Sequence, residues 1–85
     1  MLNVELVVVE GCHVCKEVKK TFDNLKPAYD FTLKEFTTDT DRGHYLTDKY
    51  DITSAPGIVI NDEYFTSGHV TREEIIQRFE EIKNR

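Results

Sequence analysis

The apolar positions of this 85-residue chain change period along its length, and the changes mark out its elements. Residues 2 to 9 carry Val4 and then Leu6-Val7-Val8-Val9, a β-branched and nearly continuous apolar run suited to a central strand buried on both faces. From Val14 onward the apolar residues advance in helical steps through Val18, Phe22 and Leu25. That spacing puts one stripe on a helix, leaves Lys16, Glu17, Lys19 and Lys20 for water, and lets Pro27 limit the end. Residues 30 to 36 alternate, Phe31 and Leu33 against Thr32 and Lys34, and predict a second strand with an edge-like polar character whose pattern breaks at Phe36.

Thr37-Thr38-Asp39-Thr40-Asp41 offers several helix caps, after which Tyr45, Leu46 and Tyr50 form the short apolar face of a helix ending near Asp51. Ile58-Val59-Ile60, the turn residues Asn61-Asp62-Glu63 and then Tyr64-Phe65-Thr66 predict a β-hairpin closed by Gly68. Thr71-Arg72-Glu73-Glu74 fits a capping box, and Ile75, Ile76, Phe79 and Ile82 mark the buried face of a last helix. The order is βαβαββα. A strand-helix-strand opening needs a right-handed crossover between parallel strands, and the hairpin adds antiparallel ones. The expected architecture is α/β, with a four-stranded mixed sheet, helices on both faces, and one domain over residues 1 to 85.

The formal net charge of −5, with scattered lysines and arginines, disfavours nucleic acid and anionic membrane surfaces as partners. The longest apolar run, Leu6 to Val9, is far too short for a membrane span or the core of a secretory signal. A cytoplasmic monomer is the expectation. In a reducing compartment two closely spaced cysteines are not a structural disulfide framework and call for another explanation.

Those cysteines, Cys12 and Cys15, are the only two in the chain and sit between the first strand and the first helix. Disulfide exchange needs a thiolate, and a helix N-terminus supplies one by lowering a thiol pKa to roughly 3.5 to 7.5 in favourable settings. With the helix starting near His13, the free N–H groups of Val14 and Cys15 point back at Cys12, making it the attacking sulfur. Cys15, in the first turn and more buried, suits the resolving step. His13 can stabilise the thiolate or move protons near neutral pH, or stand as an ordinary exposed histidine.

Two motifs, Cys12-His13-Val14-Cys15 after the first strand and Thr53-Ser54-Ala55-Pro56-Gly57-Ile58-Val59-Ile60-Asn61 opening the hairpin, resemble the thioredoxin and glutaredoxin superfamily over nearly the whole chain. The resemblance implies a glutaredoxin-like thiol-disulfide oxidoreductase in which Pro56 is a cis-proline facing the cysteines. Such a loop leaves the backbone of Ala55 to pair with an extended substrate by strand addition. His13, Val14, Ala55, Pro56 and Gly68 are then the substrate-binding residues. No cofactor is implied. Partners would be disulfide-containing proteins, with a flavoprotein disulfide reductase or glutathione as electron donor.

The departures are specific. Thioredoxins usually carry Gly-Pro and glutaredoxins Pro-Tyr between the cysteines, where this chain has His13-Val14. The buried aspartate of thioredoxins matches Leu6, with Glu5 and Glu10 nearby. Glutaredoxins place a lysine shortly before the first cysteine, where this chain has Val9-Glu10-Gly11, and their Gly-Gly pair is matched only by Gly68 followed by His69. Protein disulfides or a dedicated reductase are therefore favoured over tight glutathione binding. Two other readings compete. The cysteine pair could hold a metal or iron-sulfur cluster, with His13, His44 and His69 too widely spaced to complete a zinc finger. The groove beside Pro56 could instead serve a redox-inactive peptide-binding module.

Overall fold

The computed structural model describes residues 2–85, and its elements are β1 (Leu2–Val8), α1 (His13–Asn24), β2 (Phe31–Thr37), α2 (Asp41–Tyr50), β3 (Gly57–Ile60), β4 (Glu63–Ser67) and α3 (Arg72–Lys83). They follow the βαβαββα order. The sheet runs β2-β1-β3-β4, with β1 parallel to β2 and antiparallel to β3, and β3 antiparallel to β4.

Alternation along β1 builds two cores of unequal depth. Leu2, Val4, Leu6 and Val8 face one way and pack with Val18 and Phe22 of α1, Ile75 and Phe79 of α3, and Ile58 and Ile60 of β3. Aromatic rings fill its centre: Phe79 lies 6.1 Å from Phe22, 5.3 Å from Phe31 and 5.2 Å from Tyr29, centroid to centroid. On the opposite face Val7 and Val59 meet Leu46 of α2, with Phe36, Tyr50 and Ile52 around them. Helices thus cover both faces, α1 and α3 on one and α2 on the other.

Three local expectations are corrected. β1 stops at Val8 and Val9 is 44% exposed, because the chain turns there toward Glu10-Gly11. The break at Phe36 is a change of face: β2 continues to Thr37, and Phe36, opposite in parity to Phe31 and Leu33, packs under α2. Tyr45 does not belong to the apolar face of α2, since Gly43 and Leu46 are the buried residues and Tyr45 is 49% exposed.

Caps fix where the helices begin. Thr40 accepts from the Gly43 N–H at 3.1 Å, while Thr71 and Glu74 form the reciprocal capping box that opens α3. Asn61 and Asp62 both hold positive φ, 51° and 62°, as a two-residue primed hairpin turn requires. Asn61 also exchanges hydrogen bonds with Asn3, its N–H donating to the Asn3 carbonyl and its side-chain oxygen accepting the Asn3 N–H, both at 2.8 Å.

Candidate active site

Sheet register gathers four loops at one end of the molecule. Val8 lies beside Thr37, Val7 opposite Gly57, and Gly57 opposite Ser67. The segments that follow β1 and β2, precede β3 and follow β4 therefore meet there. Gly11, at φ +75°, makes the turn between β1 and α1 in the left-handed region that glycine enters at least cost.

Cys12 is the N-cap of α1, with extended backbone angles, and its sulfur accepts the Cys15 N–H at 3.1 Å. The expected second bond from Val14 is absent; at this cap the third amide of the helix is the one aimed at the sulfur. Cys12 and Cys15 are joined as a disulfide, with Cα atoms 5.3 Å apart. Cys15 is 6% exposed within the larger core, whereas Cys12 is half-buried. No acidic residue occupies the first turn of α1 to offset the positive end of the helix.

The Ala55–Pro56 peptide bond is cis and Pro56 is buried. The Pro56 carbonyl accepts the Gly68 N–H at 2.9 Å, which ties the loop before β3 to the end of β4. Ala55 is half-buried, and among the described residues no other backbone group bonds its N–H or C=O. His13 is exposed and Val14 packs at the margin of the core. The structure thus brings Cys12, His13, Val14, Cys15, Ala55, Pro56 and Gly68 to one end, with exposed His69 following Gly68. His44 lies apart, exposed on α2.

Leu6 is fully buried on the α1 side, the side of Cys15, while Glu5 faces the other way and is held by Arg42 through two 2.8 Å bonds. That pairing raises the Arg42 pKa, chiefly through the hydrogen bond to Glu5. Glu5 is thereby committed to α2. Glu10 is exposed in the loop before Cys12. Among the described residues no polar or charged side chain is buried, so the surroundings of Cys15 are apolar. Nor do any three His, Cys, Asp or Glu side chains among them converge as a metal site.

Residues that motif reading did not assign to this end are Val9, Thr38 and Asp39. Val9, Glu10, Thr38 and Asp39 line one shallow depression, and Val9, Thr38, Ser54 and Ala55 line its neighbour. The signal available in sequence was the apolar run continuing one residue beyond what the strand can bury.

A four-stranded βαβαββα sheet with a disulfide-bonded Cys-x-x-Cys at the start of α1 and a cis-proline before β3 defines a thioredoxin-like domain. The chain belongs to the thioredoxin domain family, whose sequence model matches residues 2–81. It superposes on thioredoxin-2 of a malaria parasite with a TM-score of 0.74 at 18% identity, covering 95% of this chain and 82% of that one. A thioredoxin pre-protein from Schistosoma mansoni gives a TM-score of 0.71 at 20% identity, covering 94% and 77%. Oxidized thioredoxin O2 from Arabidopsis thaliana gives 0.69 at 14% identity, covering 95% and 74%. At these identities the likeness establishes the fold. A sequence search of curated proteins found no significant match.

Proposed function

We propose that the protein is a dithiol oxidoreductase that reduces protein disulfides, with Cys12 as nucleophile and Cys15 as resolving thiol. The observation that carries the reading is the asymmetry of the pair: Cys12 is half-buried at the head of α1, facing the Cys15 N–H, while Cys15 is enclosed by core. After reduction, the Cys12 thiolate attacks one sulfur of a substrate disulfide. The substrate S–S bond breaks, and the departing thiolate takes a proton. Cys15 then gives up its proton and attacks Cys12, forming the internal disulfide and releasing the second substrate sulfur as a thiol. Two electrons pass from the protein pair to the substrate.

The unpaired backbone of Ala55 supports strand-like docking of the substrate segment, which is tolerant of side-chain identity. Glu10, where a carboxylate-binding lysine would be needed, supports a protein substrate and a flavoprotein disulfide reductase as electron donor over glutathione. A cytoplasmic, monomeric protein fits the acidic composition and is part of this reading.

The test is reversible oxidation. Reduced protein mixed with a protein disulfide should lose two hydrogens in intact mass, gain the Cys12–Cys15 bond, and release two substrate thiols for each bond formed. Substrate thiols appearing without that bond, or no reaction at all, would exclude the dithiol mechanism.

A further inference from the structure

Resting on the oxidoreductase reading, we infer that the groove running from Ala55 past Val9 to Glu10, two residues before Cys12, selects extended substrate segments carrying a basic residue next to their disulfide. The two depressions that share Val9 and Thr38 form one continuous path along the active-site end. One end of the path is the unpaired backbone of Ala55, which joins the cis-Pro56 loop. Its middle is Val9, an apolar side chain left 44% exposed. Its far end holds two carboxylates, Glu10 and Asp39, both exposed.

An extended peptide that pairs with Ala55 advances about 3.3 Å per residue, so a segment laid on Val9 brings a following side chain to the acidic end within a few residues of its cysteine. What that end attracts is decided by charge. Neither Glu10 nor Asp39 lies within ion-pair distance of a described Lys, Arg or His, in contrast to Glu5, Glu35 and Glu63, each of which has a cationic partner. Asp39 accepts one local hydrogen bond, from the Thr37 hydroxyl, which leaves its charge uncompensated. The net charge of −5 adds a field of the same sign. A lysine or arginine on the substrate supplies the missing counter-charge. A carboxylate there, including either of those on glutathione, meets repulsion.

Each exposed pair near 4 Å changes binding by roughly threefold, and the two together by roughly tenfold at low salt. The experiment uses two short peptide dimers, each linked by a central cystine and identical except for Arg or Glu at the positions flanking the cysteine. The reduced protein is mixed with each, and appearance of the Cys12–Cys15 disulfide is followed by alkylation and intact mass. Wild type should oxidise about tenfold faster on the Arg peptide than on the Glu peptide, with the preference fading near about 1 M salt. Glu10→Gln with Asp39→Asn should cut that ratio to about twofold. Asp23→Asn with Glu81→Gln, which removes the same charge from the far ends of α1 and α3, should leave the ratio in place.

Equal rates on the two peptides in wild type would overturn the inference while leaving the oxidoreductase standing. Loss of the ratio in the Asp23→Asn/Glu81→Gln protein as well would also overturn it, by assigning the preference to overall charge. Failure of both peptides to oxidise Cys12 would remove the oxidoreductase reading and the inference together.

Discussion

The Cys15 amide donates to the sulfur of Cys12 at 3.1 Å, so the helix that carries one cysteine is capped by the other. The sulfur proposed as the nucleophile therefore already accepts a backbone hydrogen bond at the positive end of a helix, and ionisation would strengthen that bond.

Serine at either position separates the two roles. Cys15→Ser should accumulate mixed disulfides with substrate through Cys12, visible as slower bands on a non-reducing gel and as added mass. Cys12→Ser should not. Serine is itself a strong N-cap, so Cys12→Ser keeps the start of α1 and its silence would not reflect unfolding. Equal trapping by both variants would remove the assignment of roles.

Phe79 joins α3 to the larger core through Phe22, Phe31 and Tyr29 and is fully buried. Phe79→Ala should cost about 3–5 kcal/mol, against a total of about 5–10 kcal/mol for a domain of this size. The urea midpoint should fall steeply; a shift equivalent to less than about 1 kcal/mol would mean that α3 adds little to the core.

Gly43 lies where α2 crosses the end of β2. A Cβ there would sit 2.0 Å from the Thr37 carbonyl oxygen, a backbone atom that cannot turn aside. Gly43→Ala should therefore destabilise by about 2 kcal/mol or more, despite the better helix propensity of alanine. A stability equal to or above wild type would show that α2 can move away from β2 without loss.

The capping box of α3 should give a signature in acid. The Glu74 carboxyl is held below its ordinary range, first by the backbone N–H of Thr71, then by the Thr71 hydroxyl, with His69 assisting. Its contribution is fully present above the unfolded value near about 4.3 and is lost as pH falls through the lower folded value, because the unfolded chain takes up the proton first. The Tm advantage of wild type over Glu74→Gln should shrink between about pH 7 and about pH 3. A constant gap would contradict the linkage.

Element order and the place of the cysteine pair at the head of α1 were legible because both rest on short-range patterns: the step changes at Val14 and Phe31, the Asn61-Asp62 turn, the Thr71-Glu74 box. Phe36 and Tyr45 misled because an aromatic residue fits either face of an amphipathic element, and the face is chosen by what packs across from it. The pairing of Arg42 with Glu5 and of Tyr29 with Glu80, the latter a 2.7 Å bond, spans 37 and 51 residues and has no local signature. The path proposed for the substrate was hidden for the same reason, since Val9 comes between Asp39 and Ala55 only once β1, β2 and β3 are in register.

The two faces of the sheet differ in how much they enclose. Cys12, Cys15 and Ala55 all pack against the side sealed by α1, α3 and the aromatic cluster, whereas α2 is seated on Val7, Leu46 and Val59 with only Phe36, Tyr50 and Ile52 around them. In hydrogen exchange the amides of α2 should open locally, well below the free energy that unlocks α1 and β1. The sulfurs and the Ala55 loop then stand together on the firm side of the sheet, and the compliance lies behind them, in α2.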